Sequence, residues 1–343
     1  MFAELHTHLG GATSPQTLFS IAYDRGFNIK RFSNYENFSN LIRNGIDSRA
    51  IRRGNEFTEY LDRYKMIQEI CSYPQSIQES VYKVLEDLYI NHNYRLVELK
   101  FNPALRNQKG LYDLDSIILS ACNGIQKAKN IFKDLECGII IESDQSFPLK
   151  LTQIIFEKAV KFKNFGVIGV DISGFYGDYS HNLYGGFYKE VFKYVKDNGL
   201  KITLHLGETL VDVPKESERK SLEDFKSIIE QVDRIGHGVQ FLLYSKFATD
   251  LIRALKIPIE FCPNSNLKTK VINQEEIETV VTKAHYNDID IVLCTDGHVF
   301  NGNFEDNLKT IQHCVKDKDI FEVFKNSVSN FDRTKKHSFI NIL

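Results

Sequence analysis

Lys201-Ile-Thr-Leu-His-Leu-Gly-Glu208 is the stretch on which the fold turns. Ile202 and Leu204 alternate with Thr203 and His205, so a strand that packs Leu204 outward against helices turns His205 to the other face of its sheet. Gly207 removes a side chain that would crowd a ligand near the backbone, and Glu208, three residues past His205, reaches toward the same cavity. Alone, a histidine at a strand end is more often a hydrogen-bonded structural residue than a ligand. The surrounding chain changes that weighting.

Seven other short apolar runs accompany Ile202 to His205: Phe2 to Leu5, Leu96 to Phe101, Gly138 to Ile141, Val167 to Ile172, Arg234 to Gly236, Ile257 to Phe261 and Ile289 to Leu293. Between them lie amphipathic segments, among them Leu151 to Phe162, Tyr188 to Val195, Leu222 to Val232 and Tyr244 to Leu255, long enough to carry the crossover joining parallel strands. Eight such units predict an α/β fold, a (β/α)8 TIM barrel with its active site at the C-terminal ends of the strands. Extra helices are expected near the N-terminal third. Ser14-Pro15 opens a helix that Gly26 stops, Tyr60, Leu61, Tyr64, Ile67 and Ile70 recur at helical spacing, and Pro74 opens another helix carrying Ile77, Val81, Val84, Leu85 and Leu88. Phe32 to Asn55 is polar and irregular, as in a surface excursion or lid. No repeat or Pro/Gly-rich linker divides the chain, so residues 1–343 are expected to form one domain, with about 32–92 as inserted loop and helices.

Composition narrows the function classes. Of 343 residues, 42% are hydrophobic and 26% charged, enough for a large core, and the net charge of -2 argues against broad attraction to nucleic acid or anionic membrane. A small-molecule partner fits better. No stretch approaches the roughly 18 apolar residues of a membrane span, and Met1 to Leu5 lacks a secretory pattern, so a cytoplasmic location is expected. The six cysteines form no C-x-x-C pair, which suits a reducing compartment, and Cys262 and Cys294 read as small core residues. Lys215 to Lys226 reads as the capped, solvated start of a helix. Oligomeric state leaves no mark in the sequence.

The polar residues of interest fall where barrel catalysis occurs. His6 and His8 end the first run, His205 the fifth, His237 the sixth and Asp296 the eighth. Residues two apart on a strand share a face, so His6 and His8 can bind one ion together. Imidazoles with a carboxylate suit zinc and leave room for a water.

Here the chain resembles the adenosine deaminase family of the amidohydrolase superfamily, through Glu4-Leu-His-Thr-His-Leu-Gly-Gly11, Val167-Ile-Gly-Val-Asp-Ile-Ser-Gly174, His205-Leu-Gly-Glu208, Arg234-Ile-Gly-His-Gly238, Cys262-Pro-Asn-Ser-Asn266 and Cys294-Thr-Asp296. The resemblance implies one zinc held by His6, His8, His205 and Asp296. It also implies catalytic roles for Glu208, protonating the purine ring nitrogen, and for His237 and Asp296, positioning and deprotonating the attacking water. His8 and the Gly174 backbone would meet substrate. The implied reaction replaces the 6-amino group of adenosine, or an adenosine-like nucleoside, by oxygen with release of ammonia, and needs Glu208 protonated near neutrality. The absence of a strand-four lysine agrees with a mononuclear site, and the H-x-E and P-C-x-x-C pattern of nucleic-acid-base deaminases is missing.

Two departures fall on substrate contacts. The family usually has Asp or Asn where Gly10 stands, and a second Asp where Gly297 stands, so the resemblance implies two lost polar handles and opened space. His298 is either a substitute for the missing contact or, more often in such a place, a loop histidine with no catalytic role; Glu142, Ser143 and Asp144 either line the pocket or cap a loop, and Lys100 and Arg106 are the available basic groups for a phosphate. Adenine, an N6-substituted adenosine nucleotide or another 6-aminopurine therefore stay open as substrates. So does a non-catalytic zinc-bound nucleoside sensor or scaffold, although a binder has no need of both Glu208 and His237.

Overall fold

The computed structural model describes residues 1–27, 34–44, 64–107, 110–174 and 186–340. Eight strands run in order: β1 (Phe2–His8), β2 (Tyr94–Phe101), β3 (Glu136–Asp144), β4 (Val167–Ser173), β5 (Lys201–Leu206), β6 (Arg234–His237), β7 (Ile259–Phe261) and β8 (Ile291–Leu293). Each pairs in parallel with the next. A parallel bridge between Thr7 and Asp296, with the Asp296 N–H donating to the His6 carbonyl at 2.9 Å, brings β1 against the chain leaving β8. The result is the expected (β/α)8 barrel, closed by that bridge.

Parity along the strands creates two layers. Leu99, Ile139, Ile141, Ile202, Leu204 and Ile259 face outward and bury fully against the surrounding helices; a buried aliphatic side chain of this kind contributes about 1.5–3 kcal/mol. The inward positions stack by chemistry. Ala3, Leu5, Leu96, Cys262, Val292 and Cys294 form an apolar cluster, the charged side chains of Glu98, Lys100, Asp171, Arg234 and Glu260 are linked to one another, and the histidines gather at the strand C-termini. Cys262 and Cys294 are buried with thiol pKa values raised well above normal by burial, which keeps them protonated core residues.

The helices follow the sequence signals with local exceptions. Ser14 caps helix Pro15–Asp24, its Oγ accepting from the Thr17 N–H at 3.2 Å. Helix Pro74–His92 leads into β2 and buries Ile77, Val81, Val84, Leu85 and Leu88 in the main core. The segment Phe32 to Asn55 is not irregular throughout: helix Tyr35–Asn44 lies within it, and Phe38 and Ile42, spaced four apart, bury fully against Leu18, Ile21 and Ile67. Two apolar anchors in a polar sequence were too sparse to register as a period. The rest of that expected excursion, with Tyr60 and Leu61, lies outside the described residues. Tyr244 to Leu255 is two helices, Val239–Tyr244 and Lys246–Leu255, because the Ser245 Oγ accepts from the Ala248 N–H and starts a new one. Helix Arg219–Ile229 begins in the charged stretch, without a side-chain cap from Glu218. Among the described residues no helix is long and apolar enough to cross a membrane.

Candidate active site

The site begins with a irregularity in β1. Ala3 packs with the interior cluster, yet His6 and His8 also point into the barrel, and a register shift between Glu4 and Thr7 supplies the change of parity. Glu4 secures the bend: its carboxylate accepts from the His6 N–H at 3.0 Å and the Thr295 N–H at 3.2 Å. His205 arrives by simple alternation on β5. Gly236 of β6 makes room for the His6 ring, since a Cβ there would stand 3.0 Å from the His6 Cε1. At the barrel rim His237 and Asp296 adopt φ of 66° and 59°, a left-handed conformation costly for side-chain-bearing residues and concentrated at functional sites.

Three imidazoles are oriented alike. The His6 Nδ1 lies 2.6 Å from Glu260 Oε2, the His8 Nδ1 3.0 Å from Glu142 Oε1, and the His205 Nδ1 2.9 Å from Asp171 Oδ2. Each carboxylate fixes the ring proton on Nδ1 and leaves the Nε2 lone pair facing the cavity. There the His8 and His205 Nε2 atoms stand 3.0 Å apart, and Asp296 Oδ1 lies 3.1 Å from His8 Nε2 and 3.7 Å from His6 Nε2. His6 Nε2 is buried without a hydrogen-bond partner. Converging lone pairs and a carboxylate with no proton to share fit a divalent cation and little else. The Ser265 Oγ donates to Asp296 Oδ2 at 2.5 Å, a hydrogen bond that favours the carboxylate form.

Glu208 and His237 complete the group. Glu208 Oε2 lies 3.8 Å from His237 Nε2, and His237 Nδ1 is set by the Asn266 amide at 2.9 Å. Burial raises the Glu208 pKa, with His237 opposing and Asp296 adding, so its acid form persists above the normal range of a glutamate. Burial lowers the His237 pKa and keeps the ring neutral. Gly174, at φ 115°, lines the same cavity, and a Cβ there would strike Asp144 Oδ2 at 2.7 Å.

Several expectations change at the cavity wall. Gly10 and Gly297 do not open space: a Cβ on Gly10 would meet the Tyr64 ring at 2.8 Å, and one on Gly297, at φ 137°, would meet the Gly11 backbone at 2.7 Å. Bulk at these positions is replaced by a neighbouring ring and by close backbone packing. His298 does not substitute for a missing contact, because its Nε2 bonds Asp87 Oδ2 at 2.8 Å, away from the cavity. Lys100 is not available to a phosphate: its Nζ donates to Asp171 Oδ2 at 2.8 Å and Glu260 Oε2 at 2.9 Å. Glu142 and Asp144 line the cavity, whereas the Ser143 hydroxyl turns to Thr152. Tyr64, read as part of a core stripe, also lines it. Sequence reasoning missed Glu260 and the orienting roles of Asp171 and Glu142; alternation with the outward-packed Ile259, Ile172 and Ile141 on their own strands is the signal that marks them as inward-facing.

With the geometry in place, comparison with known proteins decides the lineage. The family model described as adenosine deaminase matches residues 2–338. The chain belongs to the adenosine deaminase family. This member is 27% identical to an adenosine deaminase of Clostridium perfringens (strain SM101 / Type A) over 331 residues, covering 95% of this chain and 92% of that protein. Solved structures share the fold: the N6-mAMP deaminase of Arabidopsis has a TM-score of 0.73 at 21% identity, covering 98% of this chain and 93% of its own. The adenine deaminase of Arthrobacter aurescens has a TM-score of 0.72 at 15% identity, covering 97% and 99%. As a family member this deaminase is a hydrolase of C–N bonds in cyclic amidines.

Proposed function

We propose that this family member hydrolytically removes the 6-amino group of an adenosine-like purine, using one zinc held by His6, His8, His205 and Asp296. The observation that carries the reading is the set of three Nε2 lone pairs, each imposed by a carboxylate on Nδ1, converging with Asp296 beside a buried Glu208. A zinc bound at such a donor set would supply a Lewis acid and would lower the pKa of its water from about 9 toward about 7. Glu208 holds the proton delivered to the ring nitrogen next to the reacting carbon. His237, neutral and fixed by Asn266, orients the attacking water, and Asp296 accepts a proton from it. Tyr64 and Gly174 are among the residues that wall the cavity, an aromatic ring and a bare backbone that a purine can lie against. Relatives whose names specify adenosine, N6-mAMP and adenine bracket the substrate class as 6-aminopurines. A sensor or scaffold would need the donor set but neither a protonated Glu208 nor His237.

An ammonia-release screen of 6-aminopurines, with metal content measured on the same sample, tests this. Turnover with about one zinc per chain is expected. Glu208→Gln should keep the metal and the fold while turnover falls by roughly 10²–10⁴-fold. A metal stoichiometry near two, or a Glu208→Gln protein within a few-fold of the parent, contradicts the assignment.

A further inference from the structure

Among the described residues three cations are almost wholly buried: Lys100, Arg234 and Arg106. Lys100 lies between Asp171 and Glu260, and Arg234 between Glu98 and Glu260, so each charge is matched by carboxylates. Arg106 breaks the pattern. It is 3% exposed, lines the cavity, and its Nη1 makes no hydrogen bond. Its side-chain partner is the Cys71 thiol, which burial keeps neutral, and the carboxylate whose charge acts on it, Glu142, is already bonded to His8.

Position gives this cation a task. Its Nη2 lies 3.5 Å from where a Cβ on Gly10 would stand, on the wall shared with Tyr64. Glycine at residue 10 offers the guanidinium no carboxylate or amide, and its Nη1 is left without a hydrogen bond. Glu208 and the histidines occupy the reacting end of the cavity, so a purine presented to them turns its other substituents toward the remaining wall. A neutral hydroxyl cannot compensate a buried guanidinium, whereas an oxyanion can, through two parallel N–H···O bonds.

We propose that Arg106 recognises an anionic group, a phosphate or a carboxylate, carried by the purine substrate away from its 6-amino group. This rests on the deaminase reading of the same cavity. Calorimetric titration of the zinc-loaded protein with inosine, inosine 5′-phosphate and the inosine 5′-carboxylate tests it without turnover. At least one anionic ligand binds about tenfold or more tighter than inosine, as a charge-assisted pair requires, and the tighter of the two identifies the group. Arg106→Gln removes the difference, while Arg106→Lys, which keeps the charge but loses the fork, retains part of it. Equal affinities in the parent overturn the proposal even if no variant folds, and so does an Arg106→Gln protein weakened equally for neutral and anionic ligands. Ammonia release from adenosine without anion preference sinks this inference alone; anion-selective binding without ammonia release from any 6-aminopurine sinks the deaminase reading and spares Arg106.

Discussion

Single side chains here are tuned by what lies beyond them. Asp212 is one: buried beside Glu208, its carboxylate accepts from the Gly207 N–H at 3.0 Å and the Thr209 N–H at 3.3 Å, holding the turn that presents the Glu208 carboxyl to the cavity. Burial pushes its pKa up to about 8, with the Thr209 N–H opposing and the Glu208 charge adding. In the unfolded chain the group ionises near about 4. Because the folded form holds the proton more tightly, stability from this group is full below the unfolded value and is lost as pH rises through the folded one. Asp212→Asn keeps the acceptor and removes the titration. The decline in melting temperature between about pH 4 and 8 should therefore be shallower in the variant than in the parent; parallel curves would show that Asp212 ionises freely where it stands.

At the scale of elements, the strands contribute a charged layer inside the barrel that reaches the histidines. Glu98 and Lys100 of β2, Asp171 of β4, Arg234 of β6 and Glu260 of β7 are linked through contacts of 2.6 to 2.9 Å, and Glu260 and Asp171 end on His6 and His205. Four strands thereby fix two ring orientations. Lys100→Met retains the stem but removes a cation from two buried carboxylates, a loss of about 3–5 kcal/mol, to be read from urea unfolding. Because the ring partners also lose their anchor, zinc affinity should fall by roughly 10–100-fold in a chelator competition. A variant whose stability stays within about 1 kcal/mol of the parent would mean the carboxylates rearrange or protonate at little cost.

For the whole molecule, the C-terminal segment joins the charged layer from the other side of the barrel. The Phe339 N–H and Ser338 Oγ donate to Glu98 Oε1, Arg234 Nη1 donates to the His337 carbonyl, and the Arg234 guanidinium lies 3.6 Å from the Phe339 ring centroid. Phe339 itself is buried on Ile140 and Ile168. Phe339→Ala should cost about 3–5 kcal/mol in denaturant unfolding, while ammonia release per folded molecule and zinc content stay near the parent's. Loss of zinc at full stability would reverse the assignment of this segment as structural.

The sequence by itself determined the barrel and most of the cluster: eight apolar runs with crossovers between them admit few other folds, and alternation alone turns His205 inward. His6, His8, His237, Glu208 and Asp296 were legible because they stand at the ends of those runs, where a barrel collects them. Only the tertiary structure decided how they are aimed. The parity change in β1 and the positive φ of His237 and Asp296 are backbone events with no side-chain period, and the carboxylates that set each ring come from strands 34 to 254 residues distant. The cavity wall was equally hidden: Gly10 and Gly297 read as open space until the Tyr64 ring and the Gly11 backbone were found filling it. Contacts between distant segments follow from close packing, and close packing is a property of the folded volume rather than of any local stretch.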